Sequence, residues 1–196
     1  MATKIILSSL LFSLYFLATI AENNANNSTT STSFVQASCR ATTYPTVCIQ
    51  SLTRYAGSIK HNPRQLAHTA LAVSLHSAWS TRVFIHKLTN FKGLKRREYQ
   101  AIRDCLEEIA DSVDQIGQSI REIKSMGQGP PGQDFFLHIS NMQTWVSAAL
   151  TDCTTCLDEL SDTTYNRRIK HSVRSRVTNV AQITTNALAL INHLVA

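Results

Sequence analysis

Five cysteines are the residues of this chain whose type and spacing say most about its chemistry. Two lie close together near the N-terminus, and three lie downstream within sequence of helical period: Cys39, Cys48, Cys105, Cys153 and Cys156. Behind an export leader these thiols meet oxidising conditions and will tend to pair, and an odd number leaves one over. Cys153 and Cys156 lie one turn apart in the same line of apolar residues on a predicted helix, a line called its apolar seam below. The helical periodicity therefore does not choose between them as the partner of Cys105.

No other constellation of residues predicts catalysis or metal binding. A di-metal site in a helical bundle needs Glu-x-x-His pairs, and the sequence contains none. It also lacks a Gly-x-Ser-x-Gly nucleophile turn, and its histidines are scattered. Glu107, Asp111 and Asp114 share one helix face, but they lie off the apolar seam, which indicates a solvated acidic stripe. We therefore expect a binding protein without enzymatic activity, cofactor or metal.

Residues 1–21 have the features of a cleavable signal peptide. Lys4 supplies a positive charge, residues 5–20 are mainly apolar, and small residues precede Glu22 at the spacing of a cleavage site. The apolar run is short for a membrane span, and no stop-transfer charges follow it. Export is therefore the expected fate of the chain.

Residues 22–33 consist largely of Asn, Ser and Thr, which predicts a disordered polar tail. Overlapping glycosylation sequons begin at Asn26 and Asn27. The full chain has 19 Lys and Arg against 13 Asp and Glu, and removal of Lys4 lowers the net charge from +6 to +5. A basic secreted protein suits acidic partners such as anionic polysaccharide, whereas export and the lack of a basic stripe interleaved with aromatic residues disfavour nucleic acid.

Four amphipathic helices are predicted after residue 62. Their apolar residues recur with steps of three and four, which is typical of helices packed at small angles. The seams are Leu66, Ala70, Val73, Ser77, Phe84 and Leu88; Ile102, Leu106, Ile109, Val113, Ile116, Ile120 and Ile123; Met142, Val146, Ala149, Cys153, Cys156 and Leu160; and Ile169, Val173, Val177, Val180, Thr184, Ala187, Ile191 and Leu194. Ser140 and Gln143 predict a capping-box start for the third helix.

The predicted fold is all-α, an up-down four-helix bundle with two disulfides. Short connections favour antiparallel neighbours, and strand signals are absent from the sequence. Residues 34–62 form a predicted N-terminal helical hairpin broken at Pro45, and residues 63–196 form the bundle.

Three sequence blocks resemble the plant invertase and pectin methylesterase inhibitor family. Thr43-Tyr44-Pro45 lies between the first two cysteines, Arg103-Asp104-Cys105-Leu106-Glu107 opens the second bundle helix, and Thr144-Trp145-Val146-Ser147-Ala148-Ala149-Leu150-Thr151 precedes Cys156. The resemblance covers roughly residues 34–194. It implies the same bundle and hairpin, disulfides Cys39–Cys48 and Cys105–Cys156, and a free thiol at Cys153.

The resemblance also implies an inhibitor that caps an enzyme of the plant cell wall or apoplast. One branch of the family binds pectin methylesterase, and the other binds acid invertase and typically carries Pro-Lys-Phe before the third helix. Residues 128–136 lack that element, which favours the methylesterase branch. Resemblance to that branch implies a one-to-one complex with pectin methylesterase in which the inhibitor occludes the substrate cleft. A secreted helical carrier of a small apolar ligand is the alternative of a different class, although the small seam residues favour tight packing.

The expected docking surface combines two polar stripes. On the third bundle helix, small hydroxylated residues lie opposite the apolar seam, and the second bundle helix adds a charged set. The candidates are Thr144, Ser147, Thr151 and Thr155, with Glu107, Asp111, Asp114 and Gln118.

Overall fold

The computed structural model describes residues 29–127, 132–162 and 164–195, and every regular element among them is helical. A helix over residues 29–40 (α1) is followed by α2, a single 3₁₀ turn, a short α3 and four long helices. Their bounds are α2 Pro45–Leu52, 3₁₀ turn Thr53–Tyr55, α3 Ala56–Ile59, α4 Pro63–Thr89, α5 Arg96–Ser125, α6 Gln133–Glu159 and α7 Arg167–Asn192. The long helices pack in the cyclic order α4, α5, α6, α7, which is the predicted bundle.

The N-terminal hairpin is held to the bundle by one buried amide. Pro45 begins α2, where its missing N–H costs nothing. Just before it, the Asn186 side chain of α7 accepts a hydrogen bond from Tyr44 N at 2.9 Å and donates one to Tyr44 O at 2.9 Å. Because both polar groups of a buried amide are satisfied by one residue, the turn between α1 and α2 is fixed on α7.

The folded part begins earlier than the sequence suggested. Residues 29–33, assigned to the polar tail, are the first turns of α1, and Ser31 is buried. Residues 1–28 lie outside the described part of the chain, and with them lie the signal peptide, the rest of the tail and the sequons at Asn26 and Asn27. Among the described residues, no helix combines the length and apolar character that a bilayer crossing requires.

The predicted α6 seam and the α7 seam from Val173 to Ile191 lie in the core, while Ile169 and Leu194 at its ends are half-buried. The predicted seams of α4 and α5 lie partly beside the core. In α5, Leu106, Val113 and Ile120 are only half-buried, whereas small residues one position earlier are fully buried: Cys105, Ser112 and Ser119. In α4 the buried line continues through Ser74, Ala78, Thr81 and Ile85 rather than Ser77, Phe84 and Leu88. Hydropathy does not count Ser and Thr as core residues, yet a hydroxyl bonded within the helix pair can be buried.

Small side chains let α5 and α6 approach closely. Ser112 donates a hydrogen bond to the backbone carbonyl of Ala149 on α6 at 3.0 Å. Further along, the Cys105–Cys156 disulfide joins Cα atoms that are 4.2 Å apart. A bulky residue at either level would separate the helices, so these positions set the geometry of the α5–α6 surface.

The start of α6 differs from the capping-box prediction at Ser140. The helix begins at Gln133, after Gly132, whose lack of a side chain leaves the helix without a side-chain cap. Two contacts stabilise the added turns: Ile139 is buried in the core, and His138 Nδ1 lies 2.6 Å from Glu122 Oε2 on α5. Tertiary contacts therefore extend the helix where the one local start signal is Asp134 in the first turn.

One buried carboxylate ties together the starts of α5 and α7. Glu98 is 5% exposed, and its Oε2 accepts a hydrogen bond from Lys95 N at 2.9 Å. Its Oε1 accepts from the backbone N–H of Asn166, the N-cap of α7. The hydrogen bond from Lys95 N, with a further one from Asn166 N, holds the pKa of Glu98 below its ordinary value despite burial.

Candidate functional site: the outer face of helices α5 and α6

The hydroxylated stripe of α6 faces solvent. Thr144, Ser147 and Thr151 are exposed and Thr155 is half-buried, while Val146, Ala149 and Cys153 of the same helix fill the core. The stripe residues repeat at steps of three and four positions, so they form one line along the helix. This face is flat because no side chain in the line extends beyond a hydroxyl or a methyl group.

The threonine hydroxyls of this stripe are turned back onto their own helix. Thr144 donates to Ser140 O at 2.9 Å, Thr151 to Ser147 O at 3.2 Å and Thr155 to Thr151 O at 3.1 Å. Since each hydroxyl proton is used internally, the oxygen retains lone pairs for a partner's donor. The stripe therefore offers acceptors and methyl groups in fixed positions.

The charged candidates of α5 lie on its outer side. Glu107, Asp111 and Asp114 are exposed, and Gln118 is half-buried. Glu107 Oε1 lies 3.3 Å from Arg103 Nη2, and both side chains are largely exposed, so this pair adds little stability. Glu107 also borders a groove of about 420 Å³ between α4 and α5, beside the exposed Trp79.

An acidic cluster lies at the boundary between the two stripes, and the sequence analysis missed it. Burial and the neighbouring carboxylates of Glu108 and Asp111 raise the pKa of Asp152 to about 6, against a smaller opposing effect of the nearby Ser112 hydroxyl. Burial, followed by Asp111, Glu159, Glu107 and Asp104, likewise raises the pKa of Glu108. Within the described chain, Asp152 Oδ2 is buried without a hydrogen-bond partner, which is consistent with a carboxyl that keeps a proton in mild acid.

Only the contact between α5 and α6 creates this cluster. Asp152 and Glu108 are far apart in sequence, and each looks like an ordinary half-exposed acid on its own helix. The one local signal is position: Asp152 follows Thr151 in the predicted stripe and flanks the buried Ala149 and Cys153. It therefore belongs to the candidate docking surface beside the residues predicted from sequence.

Acidic residues are concentrated on this side of the bundle. Helices α5 and α6 contain eleven of the thirteen Asp and Glu residues of the chain, and α6 has no Lys or Arg. Helices α4 and α7 contain no acidic residue. A basic protein thus presents a net-acidic face on α5 and α6, which favours a partner whose wall carries positive or hydrogen-bond-donating groups.

The cysteine chemistry of the molecule is structural. The structure pairs Cys39 with Cys48 and Cys105 with Cys156, the pairs that the resemblance implies. Cys153 is free and 1% exposed, and burial raises the pKa of its thiol to about 11. A thiol in this state is a poor nucleophile. No cluster of three or more His, Cys, Asp or Glu is arranged to hold a metal in the described residues.

Comparison with known proteins points to one family. The family model described as "Plant invertase/pectin methylesterase inhibitor" matches residues 33–190. "Pectinesterase inhibitor 11" from Arabidopsis thaliana is 53% identical over 159 residues, covering 81% of this chain and 79% of that protein. The "21 kDa protein" of Daucus carota is 47% identical over 195 residues, covering 98% and 97%.

A solved structure agrees with the fold. The crystal structure of mutant form A of a pectin methylesterase inhibitor from Arabidopsis superposes with a TM-score of 0.63 at 22% identity, covering 79% of this chain and 92% of that one. At that identity the likeness establishes the helical bundle, and the family model and the curated relatives establish the kinship. The chain belongs to the plant invertase/pectin methylesterase inhibitor family.

Proposed function

We propose that this protein is a secreted inhibitor of pectin methylesterase. It binds the enzyme through the outer face of α5 and α6 and occludes the cleft that admits pectin, which regulates de-esterification of cell-wall pectin. The family match and the relatives named pectinesterase inhibitors support the activity. The position of the docking face is supported by the α6 stripe, whose short side chains form a rigid surface that the fold itself does not require.

The observation that carries the proposal is the stripe Thr144, Ser147, Thr151 and Thr155. Exposed helix positions without a partner usually carry strong helix formers such as Glu, Lys or Gln, and threonine lowers helix propensity by a few tenths of a kcal/mol relative to alanine. Directly beneath the stripe, Ser112 and the Cys105–Cys156 disulfide fix α6 against α5. A preorganised face of this kind loses little conformational entropy when it docks.

The complex is expected to contain one inhibitor and one enzyme in the extracellular space. A single continuous face, with its acids on one side of the bundle, supplies one binding surface for an enzyme wall. The chain needs no cofactor for this role, because steric exclusion of substrate involves no chemistry. The excess of basic residues on the remaining helices also suits contact with acidic pectin.

A paired inhibition assay tests the proposed function. The protein lacking residues 1–21 is titrated against one plant pectin methylesterase and one plant acid invertase. We expect loss of methylesterase activity at a one-to-one ratio, with invertase unaffected. The reverse pattern would assign the protein to the invertase branch.

A ligand-binding measurement on the same protein tests the alternative function, a carrier of a small apolar ligand. Ala149 and Ala187 are fully buried, and small residues at such positions favour close packing of the helices over a large apolar cavity. Binding of a fluorescent fatty acid, without inhibition of either enzyme, would support a carrier and refute the inhibitor proposal.

A further inference from the structure

A large groove lies between α4 and α7, where the N-terminal hairpin meets them. Its volume is about 1000 Å³, and its walls come mainly from the 3₁₀ turn, α4 and α7. Helices α4 and α7 are the two long helices that contain no Asp or Glu, whereas the proposed docking face lies on α5 and α6. A molecule in this groove would leave the docking face free.

The groove is basic, and its two arginines, Arg54 and Arg176, have no carboxylate partner in the described chain. Arg54, His76, His171 and Arg176 line it, and no carboxylate does. The ion pairs of the described chain are elsewhere, between Arg103 and Glu107 and between His138 and Glu122. Guanidinium groups that lack a partner carboxylate are suited to bind one from a ligand, because their planar donors match its geometry.

Aromatic and hydroxyl groups complete the lining. Arg176 stacks over the ring of Phe84 at 4.1 Å, which holds its guanidinium against the groove wall. Tyr55 is 39% exposed at the hairpin end of the groove. The remaining polar groups are mostly serines and an amide, including Ser77, whose hydroxyl accepts a hydrogen bond from Asn179 Nδ2 at 3.3 Å.

We propose that this groove binds a polyuronate, a chain of sugars that carry free carboxylates. The exposed ring of Tyr55 fits the apolar face of a sugar ring, hydroxyl and amide groups bond to sugar hydroxyls, and the arginines bind the carboxylates. The volume is at the upper end of the range of about 300–1000 Å³ that is usual for ligand sites, which is enough for several sugar units.

The choice of polymer rests on the proposed function. A methylesterase converts neutral methyl-uronate units into anionic ones, so the groove would bind the product of the inhibited enzyme and not its esterified substrate. The inhibitor would then collect on pectin that has already been de-esterified, next to the enzyme that made it. A positive groove on α4 and α7 and an acidic docking face on α5 and α6 allow both contacts at once.

The test measures binding of a de-esterified oligogalacturonide to the purified protein by calorimetry at low ionic strength, with no enzyme present. We expect binding to the de-esterified chain and none to the fully methyl-esterified chain. Arg176→Glu and Arg54→Glu should each weaken binding at least about tenfold, or about 1.4 kcal/mol. Arg82→Glu is the matched control: it makes the same charge change at an exposed site of α4 outside this groove, and it should bind as the parent does.

Three outcomes would overturn the groove assignment. Equal binding of the esterified chain would remove the role of the carboxylate, and equal weakening by Arg82→Glu would indicate diffuse attraction to a basic surface. Binding of dextran sulfate or DNA as tightly as the uronate would indicate simple ion exchange. Because the assay contains no methylesterase, failure here leaves the proposed inhibition untouched, and failure of inhibition leaves this result standing.

Discussion

Removal of the Cys105–Cys156 disulfide tests how the docking face is held together. The double substitution Cys105→Ala/Cys156→Ala deletes the covalent link between α5 and α6 and leaves Cys153 as the one remaining thiol outside the hairpin. The matched control is Cys39→Ala/Cys48→Ala, which deletes the hairpin disulfide. Both pairs are almost fully buried, so the two variants lose similar side-chain contacts.

The difference in loop length sets the expected difference in stability. The chain-entropy model assigns about 4 kcal/mol to a bridge that spans 51 residues. The same model assigns about 2.6 kcal/mol to one that spans 9 residues. With a urea dependence of about 2 kcal/mol per molar, the midpoints should fall by about 2 M and about 1.3 M respectively.

Urea unfolding followed by circular dichroism measures both values in one series. We expect Cys105→Ala/Cys156→Ala, the α5–α6 variant, to be the less stable of the two. It should also lose inhibition at the lower temperature, because no covalent bond then joins the two helices of its proposed docking face. A smaller loss of stability in that variant than in the hairpin variant would refute the account in which loop length sets the contribution of each disulfide.

Three further predictions concern buried titratable groups. Asp152 has a pKa of about 6, above its unfolded value, so its contribution to the free energy of unfolding falls as pH rises from about 4 through 6. The variant Asp152→Asn should not show this loss of stability. Urea midpoints measured for both proteins at about pH 4 and above about pH 6 test the difference. Glu98 has a lowered pKa, so its carboxylate stabilises the fold at pH values above its ordinary pKa, and this stabilisation is lost as pH drops through the pKa of the folded state. The variant Glu98→Gln should lower the free energy of unfolding by roughly 1.5–3 kcal/mol at neutral pH. An unchanged unfolding midpoint would contradict this role. Cys153 should stay unmodified by a thiol reagent in the native protein and react in urea, whereas rapid native labelling would show that the thiol is accessible.

Much of the fold could be predicted from the sequence because the long helices have strong local signals. Asn62 caps α4 and Pro63 is its first residue, and the predicted seam from Leu66 to Leu88 lies within the observed bounds Pro63–Thr89. Most members of the α6 and α7 seams also lie in the core as expected, since nearly all of them are apolar or small. The hairpin broken at Pro45 is present as well.

The sequence was less informative where polar residues are buried. Ser74 of α4 contacts the Thr184 hydroxyl of α7, and Ser112 of α5 bonds to α6, so the core passes through residues that hydropathy treats as surface. The carboxyls of Asp152 and Glu98 gain their special environments from partners on other helices. The basic groove depends on three elements meeting, and no single stretch of sequence contains it.

Titration of a pectin methylesterase with the parent protein and with Thr151→Lys tests the central claim most directly. Thr151 is exposed in the middle of the α6 stripe, so a lysine there should leave the thermal midpoint nearly unchanged. Thr178→Lys on α7, also exposed and outside the docking face, is the control. We predict that Thr151→Lys weakens inhibition at least about tenfold, or about 1.4 kcal/mol, while Thr178→Lys inhibits as the parent does. Equal inhibition by all three proteins would contradict docking through the α5–α6 face.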